Sequence, residues 1–331
     1  METATTDGLV AAGGPWAAAG GDLARTLQHG VVLLDGGLAS QLTATGSDLT
    51  DYLWSARLLI DDPGAVVEAH LAFLRAGARV ITTASYQATT AGFARRGIDA
   101  GGAEALLRRS VALADEARER AYDEGIAGPV WIAASVGPYG AMLADGSEYR
   151  GRYGLSVDEL VDFHRPRMEV LANAGADVLA CETVPDADEG EALMLALAGL
   201  DTPAWLSYTV DGTRTPAGQP LDEAFGVAVG VREIVAVGVN CCAPTDVTAA
   251  VAVATSVAKR PGLAYPNSGE RWDAVRRDWT GTVTLDPRTA REWIDAGARL
   301  IGGCCRVTAV HLRAIAAALD SAAPPDSPTP G

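Results

Sequence analysis

The sequence predicts a single-domain α/β protein, a (β/α)8 barrel, and three observations carry that prediction. Short apolar, β-branched runs alternate with amphipathic stretches along most of the 331 residues, the mark of βα units around a parallel sheet. One signature recurs three times, as Ala76-Gly77-Ala78-Arg79-Val80-Ile81, Ala174-Gly175-Ala176-Asp177-Val178-Leu179 and Ala296-Gly297-Ala298-Arg299-Leu300-Ile301. Each reads as a helix stopped by a glycine and turned within a few residues into a buried strand. Counting units then gives eight strands and eight helices over about 290 residues, a length that suits such a barrel. The alternative is a doubly wound open sheet. It calls for a Gly-rich phosphate loop after its first strand, and Asp35-Gly36-Gly37-Leu38 lacks the G-x-G-x-x-G spacing.

In chain order, residues 1–25 are Ala- and Gly-rich without clear period and are expected to form a loose arm. The barrel domain spans 26–320, and the proline-rich stretch 321–331 is expected to be a disordered tail. Apolar runs place strands near 31–35, 79–84, 129–136, 177–182, 203–210, 234–241, 262–266 and 299–304. Amphipathic segments place helices near 63–76, 102–124, 156–174, 186–199, 221–231, 244–259, 286–296 and 308–319, with Pro244 suited to a first helical turn.

Composition narrows the function classes. A hydrophobic share of 48% with 21% charged residues is that of a globular chain with a large core. The net charge of −16 argues against nucleic acid or an anionic membrane as partner, and no apolar run is long enough to span a bilayer. The first basic residue is Arg25, so no positively charged leader is expected. Five cysteines, two pairs of them adjacent, do not resemble a disulfide framework, which favours a reducing cytoplasm. Oligomeric state is not legible at this level.

Barrel chemistry sits where strands end, at the C-terminal face. The residues expected there are Asp35-Gly36-Gly37, Ser85-Tyr86-Gln87, Gly137-Pro138-Tyr139, Cys181-Glu182-Thr183, Asn240-Cys241-Cys242, Tyr265-Pro266-Asn267-Ser268 and Gly303-Cys304-Cys305. Adjacent strand residues face opposite ways, so Cys304 and Cys305 converge only if the strand ends and the backbone turns. Gly302 and Gly303 make that turn cheap. Two strand ends carrying thiols suggest one shared site, and three thiolates with an open fourth position describe catalytic zinc. The competing readings are buried packing thiols and a strained Cys304–Cys305 disulfide formed on oxidation. His29, His70, His164 and His311 fall at the first strand's start or on predicted helices and are left out of the ligand set. A zinc ion with three thiolates is a poor Lewis acid but a good holder of sulfur, so a thiol substrate would become a nucleophile near neutral pH. Asp35 and Glu182 could grip an ammonium group, and the amides around Gly36-Gly37 a carboxylate.

Asp35-Gly36-Gly37-Leu38-Ala39-Ser40-Gln41-Leu42, Leu53-Trp54-Ser55-Ala56, Ile81-Thr82-Thr83-Ala84-Ser85-Tyr86-Gln87-Ala88-Thr89, Ser135-Val136-Gly137-Pro138-Tyr139-Gly140, Gly146-Ser147-Glu148-Tyr149, Gly238-Val239-Asn240-Cys241, Tyr265-Pro266-Asn267-Ser268-Gly269-Glu270 and Gly302-Gly303-Cys304-Cys305-Arg306 together resemble the homocysteine S-methyltransferase family. The resemblance runs from Val31 to Leu319. It implies a zinc-dependent barrel that methylates homocysteine to methionine, with Cys241, Cys304 and Cys305 as zinc ligands and Asp35 and Glu182 holding the homocysteine amino group. Gly36, Gly37, Tyr86, Gln87, Asn267 and Ser268 lie in the matching motifs and complete the implied substrate site. The segments around Tyr86 and Asn267 look like the branch using S-methylmethionine, with S-adenosylmethionine as a lesser donor. Tyr139, Tyr149 and Tyr153, with Tyr86, sit on rim loops where ring faces could cover a sulfonium. Cys242 departs from the family pattern; the Asn-Cys motif favours Cys241 as ligand, and Pro244 confines Cys242 to a short loop as a neutral packing thiol. The other functions weighed are a betaine- or corrinoid-linked methyltransferase on the same barrel, and a zinc or redox sensor whose thiols switch a partner surface.

Overall fold

Eight parallel strands form one sheet in the order β1, β8, β7, β6, β5, β4, β3, β2. They are β1 (Val32–Leu33), β2 (Val80–Thr82), β3 (Trp131–Val136), β4 (Val178–Val184), β5 (Ala204–Tyr208), β6 (Ile234–Asn240), β7 (Gly262–Tyr265) and β8 (Ala298–Ile301). The seam between β1 and β2 is joined by a Leu34–Val80 bridge and by the Asp35 amide donating to the Val80 carbonyl at 3.0 Å. The barrel is thereby closed. The computed structural model describes residues 22–49, 51, 53–273 and 278–320, so the expected tail and residues 1–21 of the expected arm lie outside the described residues.

The three Ala-Gly-Ala repeats do what their chemistry requires. Gly77, Gly175 and Gly297 take φ of 108°, 92° and 110°, a backbone region open to glycine and strained for other residues, and each turns a helix into β2, β4 or β8. Helix starts follow the same logic. Asp62 caps Pro63–Arg75 by accepting from the Ala65 amide, and Ser156 and Glu159 form a reciprocal capping box on Val157–Ala172.

Side chains alternate between two apolar layers. Val32, Leu34, Val80, Trp131, Ala133, Val178, Ala180, Trp205, Ala236, Leu263, Tyr265 and Leu300 fill the barrel, while Ile81, Ile132, Leu179, Leu206, Val237, Ala264 and Ile301 pack outward under the helices. A helix at Leu23–His29, within the segment read as an arm, adds Leu23 and Leu27 to the interior cluster. Further short helices at Leu38–Ala44, Leu58–Asp61, Thr90–Ala94 and Tyr139–Leu143 lie in the connections. Among the described residues no helix is long and apolar enough to cross a membrane.

Candidate metal centre

The inward-facing stripe turns polar at the top of the strands. Ser135, Glu182, Ser207 and Asn240 are the last inward positions of β3 to β6, and all four are buried. Ser135 donates to Glu182, and Asn240 Oδ1 accepts from both the Thr183 amide and the Ser207 hydroxyl at 2.7 Å. Asn240 Nδ2 returns a bond to Thr183 Oγ1 at 2.7 Å. Thr183 has φ of 59°, next to a register shift in β4. The carboxyl of Glu182 is thus fixed over the barrel axis by groups on neighbouring strands.

The thiols arrive from β6 and β8. Alternation would send Cys241 outward after Asn240, but Cys241 has φ of 53°, and that left-handed turn swings its sulfur over the mouth. Cys241 Sγ lies 3.4 Å from Cys305 Sγ, and the sulfurs of Cys241, Cys304 and Cys305 all lie within 4.8 Å of one another. Ligands on a tetrahedral zinc with bonds of about 2.3 Å sit about 3.8 Å apart, so this set fits a metal after small adjustments. The three thiols differ in acidity. Hydrogen bonds from Cys304 and Cys305 hold the Cys241 thiol well below its usual range, while Cys304 and Cys305 are pushed up. Cys242 goes the other way, into the apolar layer under the helices, where burial pushes its thiol up. The adjacent pair is thus split between the mouth and the outer layer.

The glycines here serve close approach and not turn conformation. Gly302 and Gly303 do not take the left-handed conformation. A Cβ on Gly302 would overlap the Asp35 carbonyl, and one on Gly303 the Val307 side chain. Likewise a Cβ on Gly37 would overlap the Cys304 carbonyl, and one on Gly36 the Val307 carbonyl. The two loops are laced by Gly303 N–H to Asp35 O at 3.0 Å, Gly37 N–H to Val307 O at 2.9 Å and Arg306 N–H to Ser40 Oγ at 2.8 Å. One expectation is corrected by this: the Gly37 amide is committed to Val307 and is not free for a carboxylate.

Asp35 is buried and accepts from the Thr82 amide at 2.7 Å and from the Thr82 hydroxyl. Burial raises its carboxyl well above the usual range against those two bonds, with nearby Glu182 adding to the rise. Glu182 is pushed up to about 7 by burial, opposed by hydrogen bonds from Ser135 and Tyr265. The two acids lie within electrostatic reach of each other. A bound ammonium would favour their ionised forms.

Other sequence candidates divide into contacts and supports. Tyr149 reaches the cluster, its hydroxyl 3.4 Å from Cys241 Sγ. Tyr86 packs edge-on to Trp54 with ring centres 6.4 Å apart, and Gln87 Nε2 donates to the Ala141 carbonyl at 3.0 Å. Asn267 and Ser268 are used to position the thiol loop. Asn267 Oδ1 accepts from the Cys305 amide at 3.0 Å, and Ser268, fully buried, gives its hydroxyl to Glu270, which in turn pairs with Arg306 at 3.0 Å. Tyr139 and Tyr153 stack on each other at 5.2 Å, and the Tyr153 hydroxyl donates to Glu189, which also holds His164 and the Tyr139 amide. These two rings form the outer wall and not the sulfur contact.

Asn240 and Tyr265 were expected at the strand ends without a role, and Thr82, Ser135 and Ser207 were not singled out. Four had a readable signal: Ser135, Ser207 and Asn240 are polar residues at inward positions of otherwise apolar strands, and Tyr265 ends β7. Thr82 had none, because its value lies in facing Asp35 across the barrel seam.

The chain matches the homocysteine S-methyltransferase family over residues 32–319. It is 46% identical over 293 residues to a homocysteine S-methyltransferase of Escherichia coli, covering 87% of this chain and 94% of that one. A selenocysteine Se-methyltransferase of Brassica oleracea is 42% identical over 304 residues, covering 86% and 88%. The metallated form of the homocysteine methyltransferase MmuM from Escherichia coli superposes with a TM-score of 0.79 at 44% identity, covering 88% of this chain and 96% of that one. The barrel, its thiol-bearing strand ends and these likenesses across the same span agree, and the chain belongs to the homocysteine S-methyltransferase family.

Proposed function

We propose that this chain is a zinc-dependent homocysteine S-methyltransferase that takes its methyl group from a sulfonium donor, S-methylmethionine first and S-adenosylmethionine second. The observation that carries this reading is the convergence of three sulfurs beside two buried acids at the barrel mouth. Cys241, Cys304 and Cys305 would hold the zinc, which when bound lowers the pKa of an incoming thiol and keeps its sulfur in place.

The remaining work falls to the chain's own side chains. Glu182 and Asp35 take the ammonium of homocysteine and so fix which end of the substrate faces the thiols. Ser135, Tyr265 and Thr82 keep those acids aimed. Asn267 sets the Cys305 amide, and the Asp35–Gly37 loop sets the height of Cys304. Methyl transfer joins a thiolate to a sulfonium, so a C–S bond forms as another breaks and both charges vanish. A site of low polarity favours that loss of charge.

The test is methionine formation from homocysteine with S-methylmethionine, S-adenosylmethionine and betaine supplied in parallel, alongside elemental analysis of the purified protein. One zinc per chain and turnover with a sulfonium compound are the expected results. Turnover with betaine alone, or a zinc-free active enzyme, overturns the reading.

A further inference from the structure

The loop after the Tyr139–Leu143 helix carries a carboxylate that the mechanism above does not use. Glu148 sits in the short turn Ser147–Tyr149, one residue before the tyrosine whose hydroxyl touches Cys241. Its Oε2 is buried and has no hydrogen-bond partner. Desolvating a carboxylate oxygen without a donor is costly, so the position calls for a cation or an N–H group from outside the chain. The loop is rigidly seated, since a Cβ on Gly140 would overlap the Glu148 amide. Cys241, Tyr86 and Tyr153 all lie within electrostatic reach of the Glu148 side chain. Gln87, from the loop after β2, brings a second buried acceptor without a partner, its Oε1, while its Nε2 holds the Ala141 carbonyl of the same helix.

We propose that Glu148 anchors the methyl donor by its ammonium group, making this loop the part of the site that selects sulfonium amino acids. This rests on the sulfonium-donor reading above. The choice of ammonium over sulfonium follows from charge. The sulfonium loses its charge as its C–S electron pair returns to sulfur, so a carboxylate pressed against it would stabilise the ground state more than the transition state and slow the transfer. The ammonium keeps its charge throughout and brings three N–H donors, and a donor is what Glu148 Oε2 lacks. The sulfonium itself is left without a fixed counter-charge.

The experiment compares wild type with Glu148→Gln and Glu148→Asp, the full chain loaded with zinc in each case. Steady-state kinetics vary S-methylmethionine at saturating homocysteine and then the reverse, and calorimetry measures S-methylmethionine binding without homocysteine. Glu148→Gln is expected to raise the S-methylmethionine KM and its dissociation constant 10- to 100-fold, with the homocysteine KM within twofold of wild type and zinc content unchanged. Glu148→Asp, which keeps the charge on a shorter arm, is expected to fall between. Unchanged donor binding in Glu148→Gln overturns the proposal, as does a rise confined to homocysteine. A wild-type enzyme that binds and uses no sulfonium compound overturns the donor reading itself, before any variant is compared.

Discussion

Replacing Glu182 by glutamine should stabilise the fold and cripple substrate binding at once, and pH separates the two effects. In the free protein the Glu182 carboxyl is pushed from about 4.5 to about 7 by burial. The native state therefore holds a proton that the unfolded chain releases between those values, so stability falls as pH rises through that window. Above it, keeping Glu182 ionised costs about 3 kcal/mol, the gap of roughly 2.5 pH units multiplied by 1.36 kcal/mol. At pH 5 only about 1 kcal/mol of that cost has developed. Glu182→Gln removes the cost but offers one oxygen where the carboxylate accepted from Ser135 and Tyr265, a loss of about 1 kcal/mol. Urea unfolding should then show the variant about 2 kcal/mol more stable than wild type at pH 8 and nearly equal at pH 5. Zinc content should be unchanged and the homocysteine KM raised at least tenfold, about 1.4 kcal/mol of lost ammonium binding. A stability difference that is the same at both pH values, or an unchanged homocysteine KM, would refute the reasoning.

Cys304→Ala or Cys305→Ala should abolish zinc binding and turnover together; full zinc content by elemental analysis in either variant removes that residue from the metal site. Cys241→Ser should lose both as well, while Cys242→Ser, altering a thiol packed under the helices, should retain zinc and most activity, and the opposite pattern would mean that the wrong member of the pair faces the mouth. Gly37→Ala places a Cβ on the Cys304 carbonyl, so zinc affinity should drop at least tenfold in a protein that still folds by circular dichroism; competition with a chromogenic chelator measures it, and wild-type affinity would show that the loop yields at no cost.

What the sequence made legible was local chemistry. The Ala-Gly-Ala repeats read correctly because one glycine conformation and one apolar run suffice to specify a helix-to-strand turn, and the grouping of Cys241, Cys304 and Cys305 was legible because strand ends in a barrel share one face. The illegible parts depend on residues far apart in the chain. Leu23–His29 has only Leu23 and Leu27 to bury, too little to announce a helix until the barrel interior receives them. Gly302 and Gly303 read as a cheap turn, and the demand that Asp35 and Val307 place on their small size was not visible. Ser268 looked like a substrate contact because its motif is shared, whereas its hydroxyl is spent on Glu270. Tyr139 and Tyr153 could not be placed without knowing that Glu189 waits behind them.

The lacing of the first and last loops has a bearing on biosynthesis. Ala309 N–H binds Gln41 Oε1 across 268 positions of sequence, and Gly303 reaches Asp35 over a similar separation. A chain emerging from the ribosome presents Asp35 long before Cys304 and Cys305, so the three thiols cannot meet until the last strand of the barrel has been made. If the three thiols hold a metal as proposed, a chain still short of β8 offers it only Cys241, and loading becomes a step that follows closure of the barrel.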